Sequence, residues 1–307
     1  MKPRLILHVG MHKTASSSLQ EVMEVDRAAL ARAGFLYAAT NRAPFAHLPK
    51  HTSLYEALRQ GPEAFAAERA VLEAEFDASG CHTMVLSEEG LSSPHALGFG
   101  AIAGFAERFE IDVVVYLRRP DRFAESLWNQ YSREGSQREG IEPFLATPRL
   151  RRHLQFVQIL EMWEAVGRLM AFSYEAACRE GSIVAHFAGV TGVPLPDVDP
   201  RSNVSPSMAC AAVMTEVNKQ IRGGLRPEDW GALEARFDLG GRKLALGGRL
   251  RRQLLAEMAP QMEEIARRHH VAFPEALPEE PEEPIPDPDP EVVAWLLEHL
   301  RARRGRA

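Results

Sequence analysis

The sequence predicts an α/β protein with a mainly parallel central sheet flanked by helices and a mostly helical C-terminal part. Three observations carry this. Short apolar, β-rich runs alternate with helical patterns over roughly the first 190 residues, as βαβ units require. The run at 111–117, IDVVVYL, is almost wholly apolar and β-branched, as a strand covered on both faces must be. Past residue 200 the pattern turns helical, with glycine interruptions, over 207–221, 227–237 and 250–269.

Residues 5–9 are the first apolar run, closed by Gly10. A small-polar stretch, 13–18, leads into a helical pattern over 19–33, with Gly34 as its stop. Residues 38–53 hold scattered Pro, Asn and His and read as loop. A helix over 63–76 precedes a second strand, 83–86, which ends in Ser87-Glu88-Glu89-Gly90. After the 111–117 strand, Pro120 punctuates and Asp121 can cap a helix reaching about Arg133. A helix over 150–166, a short strand over 169–173 and a helix including 183–187 follow. Sheets of this kind bind ligands beyond the carboxyl ends of their strands. The loops after Val9, Leu86 and Leu117 all lie at such ends.

The 307 residues suit one large domain with a small appendage. Residues 1–274 read as that domain and 275–291 as an acidic, proline-rich linker without a basic residue, extended and solvated. Residues 292–307 read as a short helix and a basic tail. Val292, Val293, Trp295, Leu296, Leu297 and Leu300 make an apolar stripe. It wants burial, against its own body or in a homodimer contact.

With 36 basic and 42 acidic residues the formal charge is −6. Nothing draws the whole molecule to nucleic acid or to an anionic membrane, so an anionic ligand needs a local positive site. Cys81, Cys178 and Cys210 are too far apart for metal-ligand spacing and read as inert core thiols in a reducing compartment. The first apolar run is too short for a signal peptide, and no stretch approaches membrane-spanning length. A cytoplasmic location is the expectation.

Residues 8–20 read HVGMHKTASSSLQ, a strand, a turn of small polar residues and a helix start. Backbone N–H groups at a helix start, with the helix dipole, make an anion cradle. Lys13 adds a full charge, Thr14, Ser16 and Ser17 add hydroxyl donors, and His12 a further donor. The triphosphatase loop needs G-x-x-x-x-G-K-[ST]. Here only Met11 and His12 separate Gly10 from Lys13, which argues against a kinase built on that loop.

A second anion site follows the strand at 111–117. Arg118 stands at its end and Ser126 eight residues on, in the helix. The planar guanidinium fork suits a phosphate. Arg119 is the ambiguous neighbour, and Trp128 and Tyr131 read as helix core rather than base stackers.

Together, in this order, the two segments resemble the donor-binding motifs of the sulfotransferases that use 3′-phosphoadenosine 5′-phosphosulfate (PAPS). The match is best with bacterial members, having MHKT-type loops and LRRP-type strand ends, and covers about residues 4–190. Lys13, Thr14, Ser16 and Ser17 match the 5′-phosphosulfate loop by type, in a stretch running on through Ser18. Ala15 replaces its usual glycine and is tolerable only at negative φ. Arg118 and Ser126 match the 3′-phosphate site. Arg201–Ser205 resembles those members more weakly. The resemblance implies the P-loop-like sulfotransferase fold, PAPS as donor, 3′,5′-adenosine bisphosphate as product and no metal. Lys13 would then stabilise charge on the leaving oxygen.

The acceptor hydroxyl or amine needs a general base. Glu88 and Glu89 stand at a strand end, and the family pattern points to Glu89. His51 and His47 are rivals in the 38–53 loop; His269 and His270 read as structural. The acceptor, whether carbohydrate, lipid, small molecule or peptide tyrosine, is not legible, because variable loops build such pockets. A small-molecule kinase using ATP and Mg²⁺, and a non-catalytic nucleotide- or partner-binding protein, are the competing readings.

Overall fold

The computed structural model describes residues 2–39, 48–93, 99–179, 181–198, 206–223, 225–239, 244–273 and 276–304. The described residues form one five-stranded sheet of β1 (Arg4–His8), β2 (Phe35–Tyr37), β3 (Thr83–Ser87), β4 (Glu110–Leu117) and β5 (Arg168–Ser173). The helices are α1 (Ser16–Val25), α2 (Arg27–Arg32), α3 (Thr52–Gln60), α4 (Pro62–Ser79), α5 (Phe99–Ile102), α6 (Pro120–Arg133), α7 (Ile141–Leu145), α8 (Pro148–His153), α9 (Phe156–Glu164), α10 (Tyr174–Arg179), α11 (Ile183–Thr191), α12 (Met208–Gln220), α13 (Pro227–Arg236), α14 (Gly247–His269) and α15 (Pro290–Arg304).

The chain divides into two compact units. The first is Met1–Arg119, Arg152–Ser202 and Gln261–Glu275; the second is Pro120–Arg151, Asn203–Pro260 and Ala276–Ala307.

The first unit contains the sheet, in the order β2-β3-β1-β4-β5 with every neighbouring pair parallel. The expected parallel α/β architecture is therefore present. β1 and β4 are buried almost throughout because their residues are apolar on both faces. β1 opposes β3 residue for residue, ending with His8 beside Ser87, and His8 lies beside Val114 of β4. The chain leaves β1 toward β2, whereas it leaves β4 toward β5. Adjacent connections thus diverge at the end of β1, the switch point at which open α/β sheets form a crevice.

Several elements depart from expectation for local reasons. β2 follows the predicted helix stop at Gly34, and α3 overlaps the predicted loop only at Thr52 and Ser53, running on through residues given no element. The predicted first helix is two, α1 and α2, joined at Asp26, and the one expected over 150–166 is α8 and α9. Cys178 is exposed on α10, unlike buried Cys81 and Cys210.

The second unit is helical. Trp128 and Tyr131 of α6 are core residues, as expected. The buried carboxylate of Asp121 accepts from Arg251 of α14, as do Glu125 and Glu280. Arg251 is shared by three carboxylates, and Glu125 also accepts from the Ala245 and Leu246 N–H groups. Glu280 comes from the acidic segment, whose described residues are mostly exposed, and ties it to the unit at this point. Gly248 and Arg249 N–H donate to Pro281 O and Glu282 O, and Ile285 N–H donates to Ala245 O. The terminal stripe folds back within this unit: Val292, Leu296, Leu297 and Leu300 are buried, and α15 packs on α12 and α13. Arg303 of α15 reaches Asp229 of α13 at 2.6 Å.

Candidate functional site

The topological switch point lies where β1 ends. Val9 N–H donates to Val114 O, Met11 N–H to Tyr116 O, and Tyr116 N–H to Gly10 O. The ladder with β4 thus continues into the β1–α1 loop. On the other flank, Glu88 N–H donates to His8 O. The loop is pinned from both sides before it turns.

Gly10 has φ +92°, and a β-carbon there would stand 2.9 Å from Glu89 Cβ and 3.0 Å from Glu89 Cα. Both facts require glycine. They also bring Glu89 against the loop.

Lys13 and Ala15 adopt positive φ, 66° and 57°. The expectation of negative φ at Ala15 is therefore corrected: with ψ 28° it is left-handed, directly ahead of α1. Left-handed residues interleaved with ordinary ones turn successive N–H groups toward one concavity, an anion nest. Leu19 N–H closes the first turn of α1 on Ala15 O at 3.3 Å. A helix start presents backbone amides to an anion. The first turn of α1 carries no acidic side chain to oppose one.

Thr14 Oγ1 and Ser16 Oγ donate to Met11 O at 2.7 and 3.2 Å. They shape the turn, while Ser17 is exposed and Ser18 buried. His12 is half-buried and meets the edge of the His153 ring at a centroid distance of 5.5 Å.

Arg118, one residue past β4, donates from Nη1 to Lys13 O at 2.9 Å. The two segments singled out by sequence therefore meet. Its guanidinium lies 5.4 Å from the Tyr174 ring centre. Its buried Nε makes no hydrogen bond to the described residues, with Glu175 Oε1 3.7 Å away. An orphaned guanidinium donor beside an anion nest is the condition that an oxyanion ligand relieves. Arg119 is buried and its N–H donates to the Glu175 carboxylate at 3.2 Å. Ser126 lies on α6 in the second unit, half-buried. Arg118 and Ser126 are thus divided between the units.

The carboxylates at the end of β3 split. Glu88 is buried and caps the turn Glu89–Ser92: its Oε1 accepts from Gly90 N–H at 2.9 Å, and its Oε2 from Thr52 Oγ1 at 2.9 Å. Burial pushes its pKa up, and the Glu89 charge adds to this against Lys50. Glu89 accepts from Lys50 Nζ at 2.7 Å and from Gln20 Nε2 at 3.0 Å. Burial opposes its ionisation too, but the Lys50 charge and hydrogen bond, Gln20 and His12 together hold it at about 2. Behind it Gln20 donates to Ser87 Oγ at 3.1 Å, and Ser87 Oγ meets His8 Nδ1 at 2.7 Å.

His51 is not the open loop residue that a base role needs. It is fully buried; its ring Nδ1 accepts from Ser87 N–H at 3.0 Å, and Nε2 lies 3.1 Å from Ala38 O. An accepting Nδ1 puts the ring proton on Nε2, which donates to Ala38 O. Short β2 ends opposite Val85, and His51 satisfies the Ser87 backbone beyond it. His47 and Arg201–Ser205 lie outside the described residues. His269 sits 3.7 Å from Glu164, on a helix end as expected. Sequence reasoning missed Lys50, Gln20, His8 and Glu175. Their partners are distant in sequence, and no spacing announces them.

Among the described residues no cluster of His, Cys, Asp and Glu is fit to hold a metal ion. No described helix is long and apolar enough to cross a membrane.

No family model and no curated protein matches the chain. A solved sulfotransferase from Alicyclobacillus acidocaldarius is similar at TM-score 0.44 and 14% identity, covering 89% of this chain and 98% of that one. A structure from the PezAT chromosomal toxin–antitoxin system of Streptococcus pneumoniae is similar at TM-score 0.32 and 9% identity, covering 61% and 76%. Overlaps of this size do not bear on activity.

Proposed function

We propose that the chain is a sulfotransferase that takes its sulfuryl group from PAPS and passes it to an acceptor hydroxyl or amine. The observation that carries this is the Arg118–Lys13 hydrogen bond, 2.9 Å. It joins an anion nest to a guanidinium at the next strand end, so that two anionic groups of one ligand find donors together.

The residues suit the donor. The nest and Lys13 would hold the 5′-phosphosulfate, with His12 beside them. Arg118 would hold the 3′-phosphate, and Ser126 is assigned to it from the sequence pattern alone. PAPS, when bound, supplies an activated sulfuryl group and departs as 3′,5′-adenosine bisphosphate.

The remaining chemistry belongs to the side chains. Lys13 sets a cation where charge develops on the leaving oxygen, the position at which a fixed charge lowers the barrier most. Glu89 receives the acceptor proton on a carboxylate oxygen. Held at about 2, it is ionised throughout the neutral range. It is a weak base, and takes the proton late, once bond formation has made the acceptor acidic. Glu88, committed to Gly90 and Thr52, steadies the turn that carries Glu89.

Transfer of sulfur-35 from labelled PAPS to acceptors in a cell extract tests this. Lys13→Ala and Glu89→Gln are expected to lower transfer by about 10²–10⁴-fold with the fold intact. Equal transfer by either variant would remove that residue from the mechanism.

A further inference from the structure

We propose that Lys50 is a positioning residue for Glu89, tying the segment ahead of α3 to the end of β3 and holding the carboxylate charged against the β1–α1 loop. This rests on the reading of Glu89 as the reacting base. Nothing in the motif pattern points to Lys50; its place in the fold does.

Glu89 is gripped from three directions. Lys50 Nζ stands 2.7 Å from Oε1, Gln20 Nε2 stands 3.0 Å from Oε2, and Gly10 leaves only the room that its missing β-carbon allows. These contacts come from the segment before α3, from α1 and from the β1–α1 loop. A carboxylate held at both oxygens and along its stem has one orientation, the pre-organisation that a reacting group needs.

Lys50 is also the cation that the two adjacent carboxylates share. It lies 3.5 Å from Glu88 Oε1, whose other partners, Gly90 N–H and Thr52 Oγ1, are neutral. Among the described residues the charged and titratable groups facing Glu89 are Lys50, Glu88 beside it, His12 of the β1–α1 loop, His8 of β1 and Tyr37 of β2, which burial keeps neutral. His8 is held near 4 by burial, partly offset by Glu89, and is neutral over most of the working range. Without Lys50, burial and the neighbouring Glu88 charge would both oppose ionisation of Glu89, and the largest influence against them would be gone. A protonated Glu89 cannot act as a base. Lys50 therefore acts through Glu89, on its charge and its aim.

The test is carbon-detected NMR of the full chain with labelled glutamate carboxyls, the Glu89 signal being assigned by its loss in Glu89→Gln. In the wild type Glu89 is expected to remain a carboxylate down to about pH 4, below the ordinary midpoint of about 4.3. In Lys50→Met its midpoint is expected to rise above that ordinary value, and Lys50→Arg is expected to restore the wild-type titration. A wild-type midpoint at or above about 4.3 overturns the proposal even if Lys50→Met fails to fold. So does an unmoved midpoint in a folded Lys50→Met. Binding of 3′,5′-adenosine bisphosphate is measured alongside and is expected to differ less than about twofold in Lys50→Met. If the wild type binds no bisphosphate, the donor reading fails, while the titration still decides the role of Lys50.

Discussion

Ala15 stands where an L side chain resists the backbone, a left-handed residue that costs about 1–2 kcal/mol. It is nonetheless packed against the core cluster that includes Leu19 and Val22. Ala15→Gly is expected to raise the free energy of unfolding in urea by about 0.5–1 kcal/mol, because part of the relief is lost to the freer unfolded glycine. A fall in stability would show that the β-carbon contact outweighs the strain. His8 makes a second prediction. Burial holds it at about 4, below its ordinary value near 6.5. As pH falls below about 6.5 the unfolded chain takes a proton that the folded chain refuses until about 4. Stability is therefore complete above that window and is lost through it, by about 3 kcal/mol. Glu89 adds a lower window. Its contribution is complete above about 4.3 and fades toward about 2. His8→Gln is expected to flatten the upper window in denaturation series taken from pH 7 to 4; an unchanged slope would exclude His8 as its source.

At the scale of elements, the sequence was most legible where one residue type dominated. β1 and β4 are apolar on both faces, and their ends set the loop and Arg118 side by side. β2 was illegible because three residues show no periodicity, and α3 because its start is set by burial of His51 rather than by a cap. The carboxylate pair was visible as two glutamates after a strand. Its division into a buried cap and a charged neighbour depends on Lys50 and Thr52, whose approach only the tertiary fold creates. The acidic segment is legible in part. Composition marks 275–291 as solvated and most of its described residues are exposed, but the tie from Glu280 to buried Arg251 has no sequence signal. Glu280→Ala is expected to speed hydrogen exchange at the Gly248, Arg249 and Ile285 amides, which this segment's backbone engages. Unaltered protection there would mean that the backbone bonds alone hold the segment.

At the scale of the molecule, the chain weaves two compact units from interleaved stretches, which composition gives no reason to expect. The nest, Lys13, Arg118, Glu88 and Glu89 all belong to the first. The net charge of −6 leaves attraction of an anionic donor to this local cluster. Calorimetric titration with 3′,5′-adenosine bisphosphate, with no metal added and with ATP and Mg²⁺ as the comparison, tests that cluster most directly. Binding of the bisphosphate without metal is expected, weakened at least about tenfold in Arg118→Ala, as loss of a charge-assisted phosphate contact predicts. Binding of ATP and Mg²⁺ alone, or bisphosphate binding unchanged in Arg118→Ala, would contradict the proposed donor site.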